Sequence, residues 1–202
     1  MKIGPKYKIA RRVGAPIFEK TQTQKYALRS ERRGKTRKFL KPKSEFGIQL
    51  NEKQKARFIY GLTERQFSNY VKESLSKKST HTSQTIFECL ERRIDNVIYR
   101  MGFASTRRAA RQMVSHGHIT VNAKKITIPS YRVEISDILG IRAGSANKVL
   151  FKQMIESAKT ASIPSWISFD AQKNIATIQG LPQLNQTDTM FDLNAVVEFY
   201  SR

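Results

Sequence analysis

Residues 91–141 read ERRIDNVIYRMGFASTRRAARQMVSHGHITVNAKKITIPSYRVEISDILGI, and the hydrophobic period changes partway along them. Ile94, Val97, Ile98 and Met101 recur at three- and four-residue steps, in line with Ile86 and Leu90 before them. That spacing predicts a helix with one core face, ended by Gly102. Phe103-Ala104-Ser105-Thr106 is a tight link into a second helix, packed through Ala109, Ala110, Met113 and Val114 and stopped at Gly117. Two short strands follow, at 119–121 and 125–128, with a turn at Asn122-Ala123, until Pro129 breaks the pattern. Further short strands are predicted at 133–135 and 138–141. A helix pair coupled at once to a hairpin is an α+β arrangement.

The basic residues of this stretch are placed unusually. Arg107, Arg108 and Arg111 occupy the first turns of the second helix, where positive charge opposes the helix dipole. The apolar spacing leaves all three outside. A rank of cations there is unfavourable without a partner, and a phosphate backbone would offset it. Lys124 and Lys125, on the hairpin turn, come within reach of the same backbone. His116 and His118 flank Gly117; with no Cys or acidic ligand at suitable spacing they read as capping or hairpin residues, not as a metal site.

On the N-terminal side, NEKQKARFIYG (51–61) predicts a short helix ending at Gly61. Thr63 then caps a helix to about residue 77, with Phe67, Tyr70, Val71 and Leu75 on one face. The polar run 76–83 reads as a loop. Thr85-Ile86-Phe87-Glu88 has capping-box spacing, so the chain's longest helix is expected to start there and run to Gly102. Beyond 141, residues 147–158 return to helix through Val149, Leu150, Met154 and Ile155, and the end is strand-like at 166–169, 175–178 and 196–200. In residues 1–45 the apolar positions (Ile9, Val13, Ile17, Phe18, Phe39, Leu40) lack sustained periodicity, so this segment is expected to stay extended or loosely folded until it meets RNA.

Charge narrows the function classes. The net charge is +21 in 202 residues. Residues 1–60 carry 18 Lys/Arg against 4 acids and residues 91–150 carry 11 against 4, whereas 151–202 carry 4 against 5. Two separate basic blocks of this density point to a polyanionic partner. No run of 18 apolar residues exists to span a bilayer, and no apolar stretch near the N-terminus has the form of a signal peptide. Cys89 is the only cysteine, which fits a buried thiol in an intracellular protein better than a disulfide framework. Arg33-Gly34-Lys35-Thr36 mimics the end of a phosphate-binding loop, but Arg29 stands where that pattern needs its first glycine. No nucleophile, base and carboxylate set has recognisable context, so no enzyme is predicted.

GFASTRRAARQMVSHGHITVNAKKITIPSYRV (102–133) resembles the RNA-binding domain named after the fourth small-subunit ribosomal protein. The flanks GPKYK (4–8), FGIQLNEKQKAR (46–57), YGLTERQF (60–67), LERRIDNV (90–97) and VEFYSR (197–202) resemble the ribosomal family itself, in its bacterial or organellar form. The resemblance implies a mostly helical first domain with the RNA-binding domain inserted before the chain returns to it. It also implies direct, early binding to the 5′ domain of small-subunit rRNA, nucleation of subunit assembly, contact with the fifth small-subunit protein with an influence on decoding accuracy, and proximity to mRNA at the entry channel. In some members it extends to repression of their own operon. The location implied is the cytoplasmic ribosome, or the stroma or matrix if organellar. Some members hold zinc through an N-terminal Cys-x-x-Cys; Tyr7 and Ala10 stand at those positions, so no metal and no other cofactor is expected. The family's hairpin turn is commonly Asn-Gly, whereas Ala123 tolerates positive φ poorly, which leaves the turn geometry open.

The organisation expected is a basic extension at 1–45, a helical domain at 46–90 completed by 190–202, the RNA-binding domain at 91–155, and its C-terminal part with a linker at 156–189. The candidate RNA-binding residues are Ser105, Thr106, Arg107, Arg108, Arg111, Gln112, His116, His118, Asn122, Lys124 and Lys125, with Arg11, Arg12, Arg32, Arg33, Lys53, Lys55 and Arg57 from the first domain. The alternatives are a freestanding RNA-binding regulator and an RNA-modifying enzyme built on the same domain; residues 151–202 are too short for a separate catalytic domain.

Overall fold

A computed structural model describes residues 3–36, 44–77, 81–146, 151, 154, 162–170, 173–185 and 189–201. In chain order these form α1 (Lys6–Val13), a 3-10 turn (Glu19–Thr21), α2 (Gln24–Thr36), α3 (Glu45–Ile59), α4 (Glu64–Ser76), α5 (Thr82–Glu91), α6 (Ile94–Arg100) and α7 (Arg107–Ser115). Then come β1 (Ile119–Val121), β2 (Lys124–Ile126), β3 (Ile138–Ile141), α8 (Ala143–Ala146), β4 (Ile167–Asp170), β5 (Ile175–Ile178) and α9 (Leu193–Ser201). The chain divides into two compact units: Met1–Ile86 with Leu184–Arg202, and Phe87–Gln183 inserted between those segments. The fold is α+β.

The first unit is helical. Ser44 caps α3 by accepting a hydrogen bond from the Gly47 amide at 3.2 Å. Gln49, Lys53 and Ala56 are buried on its inner face, at the spacing of successive helical turns, and α9 packs against α3. Leu193 and Val196 bury one side of α9, the Phe46 and Phe199 rings pack at a tilt with centroids 5.4 Å apart, and Gln49 donates to Glu198 at 2.9 Å. Residues 196–200 are therefore helix, not the strand predicted: burial at a three-residue step against α3 overrides the β propensity of Val196-Val197. The Thr63 cap is present, accepting from the Gln66 amide at 3.3 Å, and Phe67 and Val71 are buried as expected.

Residues 1–45 also differ from expectation. Lys6–Val13 and Gln24–Thr36 are helical rather than extended. Ala10, Val13, Ile17 and Phe18 are buried, and Ala10, Ile17 and Phe18 form a small cluster on which Phe58 and Ile59 of α3 pack. The apolar positions are too few to show a period along the sequence; their partners lie some forty residues away.

The inserted unit carries an antiparallel sheet in the order β2-β1-β3-β5-β4 among the described residues. Ile119 faces Ile126 and Ile141, and Leu139 faces Ala176 across successive ladders. One face of the sheet and the inner faces of α6 and α7 share a core of Val97, Ile98, Met101, Ala110, Met113, Val114, Ile119, Val121, Leu139, Ala176 and Ile178. Strands expected at 119–121, 138–141, 166–169 and 175–178 are present within a residue. No strand forms at 133–135, where only an isolated bridge joins Arg93 to Arg132.

The long helix expected from Thr85 to Gly102 is two helices. The first begins at Thr82 and the pair is interrupted at Arg92 and Arg93. The Ile94 amide donates to the Tyr131 carbonyl at 2.9 Å, and the Val133 amide donates to the Arg92 carbonyl at 2.9 Å. Arg93 is extended (φ −67°, ψ 132°). Segment 129–133 thus satisfies backbone groups that an unbroken helix would have satisfied itself. Of the helix predicted at 147–158, only Phe151 and Met154 lie among the described residues, and Phe151 is buried.

The β1–β2 turn is a two-residue left-handed one, with Asn122 at φ 49° and Ala123 at φ 64°. Asn122 accepts from the Ile138 amide at 2.9 Å and donates to Asp137 at 2.8 Å. Those bonds hold the turn open to the left-handed region although Ala123 supplies no glycine freedom.

Candidate nucleic-acid interface

α7 positions the arginines. Thr106 is its N-cap, accepting from the Ala109 amide at 3.1 Å. Ala110, Met113 and Val114 are buried at three- and four-residue steps, which leaves Arg108, Gln112 and Ser115 exposed and Arg107 and Arg111 half-buried. Ser105 is exposed in the link before the helix.

Two of the arginines have partners within the fold, contrary to the expectation that the α7 rank stands alone. Arg111 donates from Nε and Nη2 to Oδ2 of Asp95, at 2.9 and 2.8 Å. The same carboxylate takes Nε and Nη2 of Arg93 at 3.0 and 2.8 Å. One turn earlier, Glu91 accepts a bidentate pair from Arg100, at 2.9 Å each, and a bond from Asn96 at 3.0 Å. Asn96 in turn accepts from Arg107 Nε at 2.7 Å, and the Arg107 guanidinium lies 4.3 Å from the centroid of the Tyr99 ring.

Burial separates the two signs. The side chains of Glu91 and Asp95 are 1% and 2% exposed, whereas those of Arg100 and Arg111 are 31% and 25% exposed. A buried carboxylate is tolerated only when paired, and each acid fixes one guanidinium group whose outer part meets solvent, Arg100 on Glu91 and Arg111 on Asp95, while Arg93 is buried with Asp95. Three arginines share two carboxylates, a fourth, Arg107, is held by Asn96, and the excess is positive. The result is a cationic face with its geometry set before any anion arrives. Glu91, Asp95, Asn96 and Tyr99 were not singled out from the sequence. The available signal was that Glu91 and Asp95, among the chain's few acids, are four residues apart inside an arginine-rich segment.

The hairpin end of the candidate set is arranged as follows. Lys124 and Lys125 are exposed, and the Lys125 side chain crosses close over Gly117, where a Cβ would run into Cε. Gly117 is also at φ +69°, so the backbone favours glycine where α7 hands over to β1, whereas the flexible end of Lys125 could move aside for a side chain. His116 is exposed; His118 is half-buried, 2.8 Å from the Ser145 hydroxyl through Nδ1. The Asn122 side chain is engaged within its own turn. Among the described residues no group of three or more His, Cys, Asp or Glu could hold a metal, and no helix is long and apolar enough to cross a membrane.

The first-unit candidates divide. Arg11, Arg12 and Arg32 are exposed; Arg33 lies in α2, with its side chain outside the described residues. Arg12 lines a groove with Lys8, Arg57 and Phe58, positions separated by more than forty residues in the chain. The α3 cations are tied into the unit itself. Lys53 is buried, 2.8 Å from Glu64 and 4.5 Å from the Phe199 ring centroid. Lys55 pairs with Glu52, and Arg57 reaches Gln54 at 2.7 Å and Glu64 at 3.4 Å. Burial pushes the Glu64 carboxyl up, but hydrogen bonds from Lys53 and Tyr200 and the charges of Lys53 and Arg57 outweigh it and hold the group below its usual range. The Tyr200 hydroxyl, donating to Glu64 at 2.9 Å, is pushed well up by burial and by that carboxylate. Lys53 therefore faces inward, because Phe199 and Tyr200 of α9 close over it.

The chain matches two family models in succession: the ribosomal protein S4/S9 N-terminal domain over residues 1–91, and the S4 domain over residues 92–139. Among curated proteins it is 39% identical over 201 residues to small ribosomal subunit protein uS4 of Persephonella marina, covering 98% of each chain. It is 39% identical to the protein of the same name from Chromobacterium violaceum, covering 99% of this chain and 98% of the other. The Syntrophomonas wolfei protein of that name is 45% identical over 159 residues, 79% of this chain and 76% of its own.

Proposed function

Because the chain belongs to the uS4 family of small-subunit ribosomal proteins, RNA-binding components of translation, we propose that it binds small-subunit rRNA directly and nucleates assembly of the subunit body. The RNA face of the inserted unit is the outer side of α7 with the β1–β2 turn: Ser105, Arg107, Arg108, Arg111, Gln112, His116, Lys124 and Lys125. Arg11, Arg12 and Arg32 supply the second basic surface, in the first unit. The mechanism is neutralisation of phosphates with recognition of RNA shape, without catalysis. What supports this reading is the α7 rank, in which Asp95 orients Arg111 and Asn96 orients Arg107 from below while Arg108 stands exposed, so that the outward charge is positive. On the ribosome the protein contacts the fifth small-subunit protein, influences decoding accuracy and lies near incoming mRNA.

The test is filter binding to the 5′ domain of small-subunit rRNA, against a scrambled RNA of the same length, across a salt series. Selective binding with a steep negative salt slope is the expected result. Equal, salt-labile binding to both RNAs would overturn the proposal.

A further inference from the structure

We propose that the cavity between α1 and α2 receives one unpaired nucleotide of the bound RNA, its base stacking on the Tyr7–Tyr26 pair and its phosphate held by Arg11, Lys25 and Arg29. The proposal rests on the RNA-binding reading above and adds to it a site that the sequence pattern did not single out.

The geometry is that of a small basic cleft with an aromatic wall. The rings of Tyr7 and Tyr26 are 5.7 Å apart between centroids and inclined by 25°, a stacked pair. Tyr26 packs against the Ala10, Ile17 and Phe18 cluster, so its ring is anchored from behind. Tyr7 is 50% exposed. A large aromatic left half in water, beside a small core with room for few residues, offers a flat face to a π system. The cavity has a volume of about 330 Å³ and is lined by these two rings, Arg11, Lys25, Arg29 and the hydroxyl-bearing Thr23 and Ser30.

No carboxylate lines it. Among the described residues no ion pair engages Arg11, Lys25 or Arg29. Arg11 instead donates from Nε to the Tyr7 carbonyl at 3.1 Å, which holds its guanidinium beside the ring pair. Three cations and an aromatic face without an acid fit a phosphate joined to a planar base. Single-stranded nucleic acid is bound by that combination, the bases on aromatic rings and the backbone on cations. The hydroxyls of Thr23 and Ser30 can meet a base edge or a ribose 2′-OH. A nucleotide within a helix keeps its base stacked on its neighbours, so the occupant comes from a loop, bulge or junction.

The experiment uses the full chain with the 5′ domain of small-subunit rRNA, read by filter binding and by chemical probing of unpaired nucleotides. Wild type should protect at least one unpaired nucleotide that Tyr7→Leu leaves reactive. Tyr7→Leu should weaken binding on the order of tenfold with an unchanged salt slope, while Tyr7→Phe stays near wild type. Lys25→Ala should expose the same nucleotide and lower the slope by about 0.7–0.9, an independent check that leaves the ring pair intact. If Tyr7→Leu binds like wild type, or weakens binding with no unpaired nucleotide regaining reactivity, the cleft is not a nucleotide site and the inference fails alone. If wild type does not select the rRNA over scrambled RNA, the RNA-binding reading fails and takes this site with it.

Discussion

The α7 arginines of the inserted unit and the α1–α2 cations of the first unit look alike in the sequence but are held differently. Beneath α7, two buried carboxylates grip Arg93, Arg100 and Arg111, and Asn96 holds Arg107. On α1 and α2, Arg11, Arg12, Lys25, Arg29 and Arg32 are exposed, and none of them is ion-paired among the described residues. The first surface is preorganised and its charges contribute to folding. The second is held by no ion pair among the described residues, and its side chains would lose entropy only on meeting an anion. Positive charge density, which sequence shows directly, does not distinguish the two; the placement of a few acids does.

Cutting beneath α7 should produce the largest difference between the regions. Asp95→Ala leaves Arg93 buried without its carboxylate and releases Arg111, and is expected to cost the inserted unit about 3–5 kcal/mol. Arg12→Ala on α1 should stay within about 0.5 kcal/mol. Urea unfolding of both variants checks this, and equal losses would erase the distinction. The double variants Arg107→Ala/Arg111→Ala and Arg11→Ala/Arg12→Ala come next. Each should lower the rRNA salt slope by about 1.4–1.8 if both side chains meet phosphates. Only the α7 pair should also lower the unfolding midpoint, since those side chains are half-buried on Asn96 and Asp95 whereas Arg11 and Arg12 are exposed.

Acid separates the units in another way. The Glu64 pKa is depressed in the folded first unit, so its contribution is full above the ordinary carboxylate pKa and is lost as pH falls through the lower folded value. Wild type should therefore lose first-unit stability below about pH 4.5, and Glu64→Gln should flatten that part of the profile, followed by circular dichroism against pH. The smallest effect is expected at the hairpin. Ala123 sits at φ 64°, and Ala123→Gly should stabilise the inserted unit by about 1 kcal/mol. A thermal melt that does not move would show that Asn122 already fixes the turn at no cost to Ala123.

Local chemistry was legible from the residues alone. The Thr63 cap, the amphipathic face of α7, the short strands at 119–121, 138–141 and 175–178, and the two basic blocks all follow from patterns within one or two turns of chain. Resemblance to the family was equally plain, because its motifs are spread over almost the whole sequence. The candidate site was only half legible. Its cations were named, but Glu91, Asp95 and Asn96, which aim them, were not, and neither was the Tyr7–Tyr26 pair.

The sequence by itself determined the α+β class, the helix-to-hairpin unit and the sign and location of the charge, since these depend on neighbouring residues and on composition. Tertiary structure decided the rest. It broke the α5–α6 run at Arg92 and Arg93, where segment 129–133 supplies the backbone partners. It made 196–200 a helix by burying Val196 with α3 beside it, and it turned Lys53 inward under Phe199. Each of these outcomes is set by a hydrogen bond, a buried contact or an ion pair between residues separated in the chain. A side chain's partner across space outweighs its local propensity because desolvating a backbone amide or a charge unpaired costs more than the few tenths of a kcal/mol by which propensities differ.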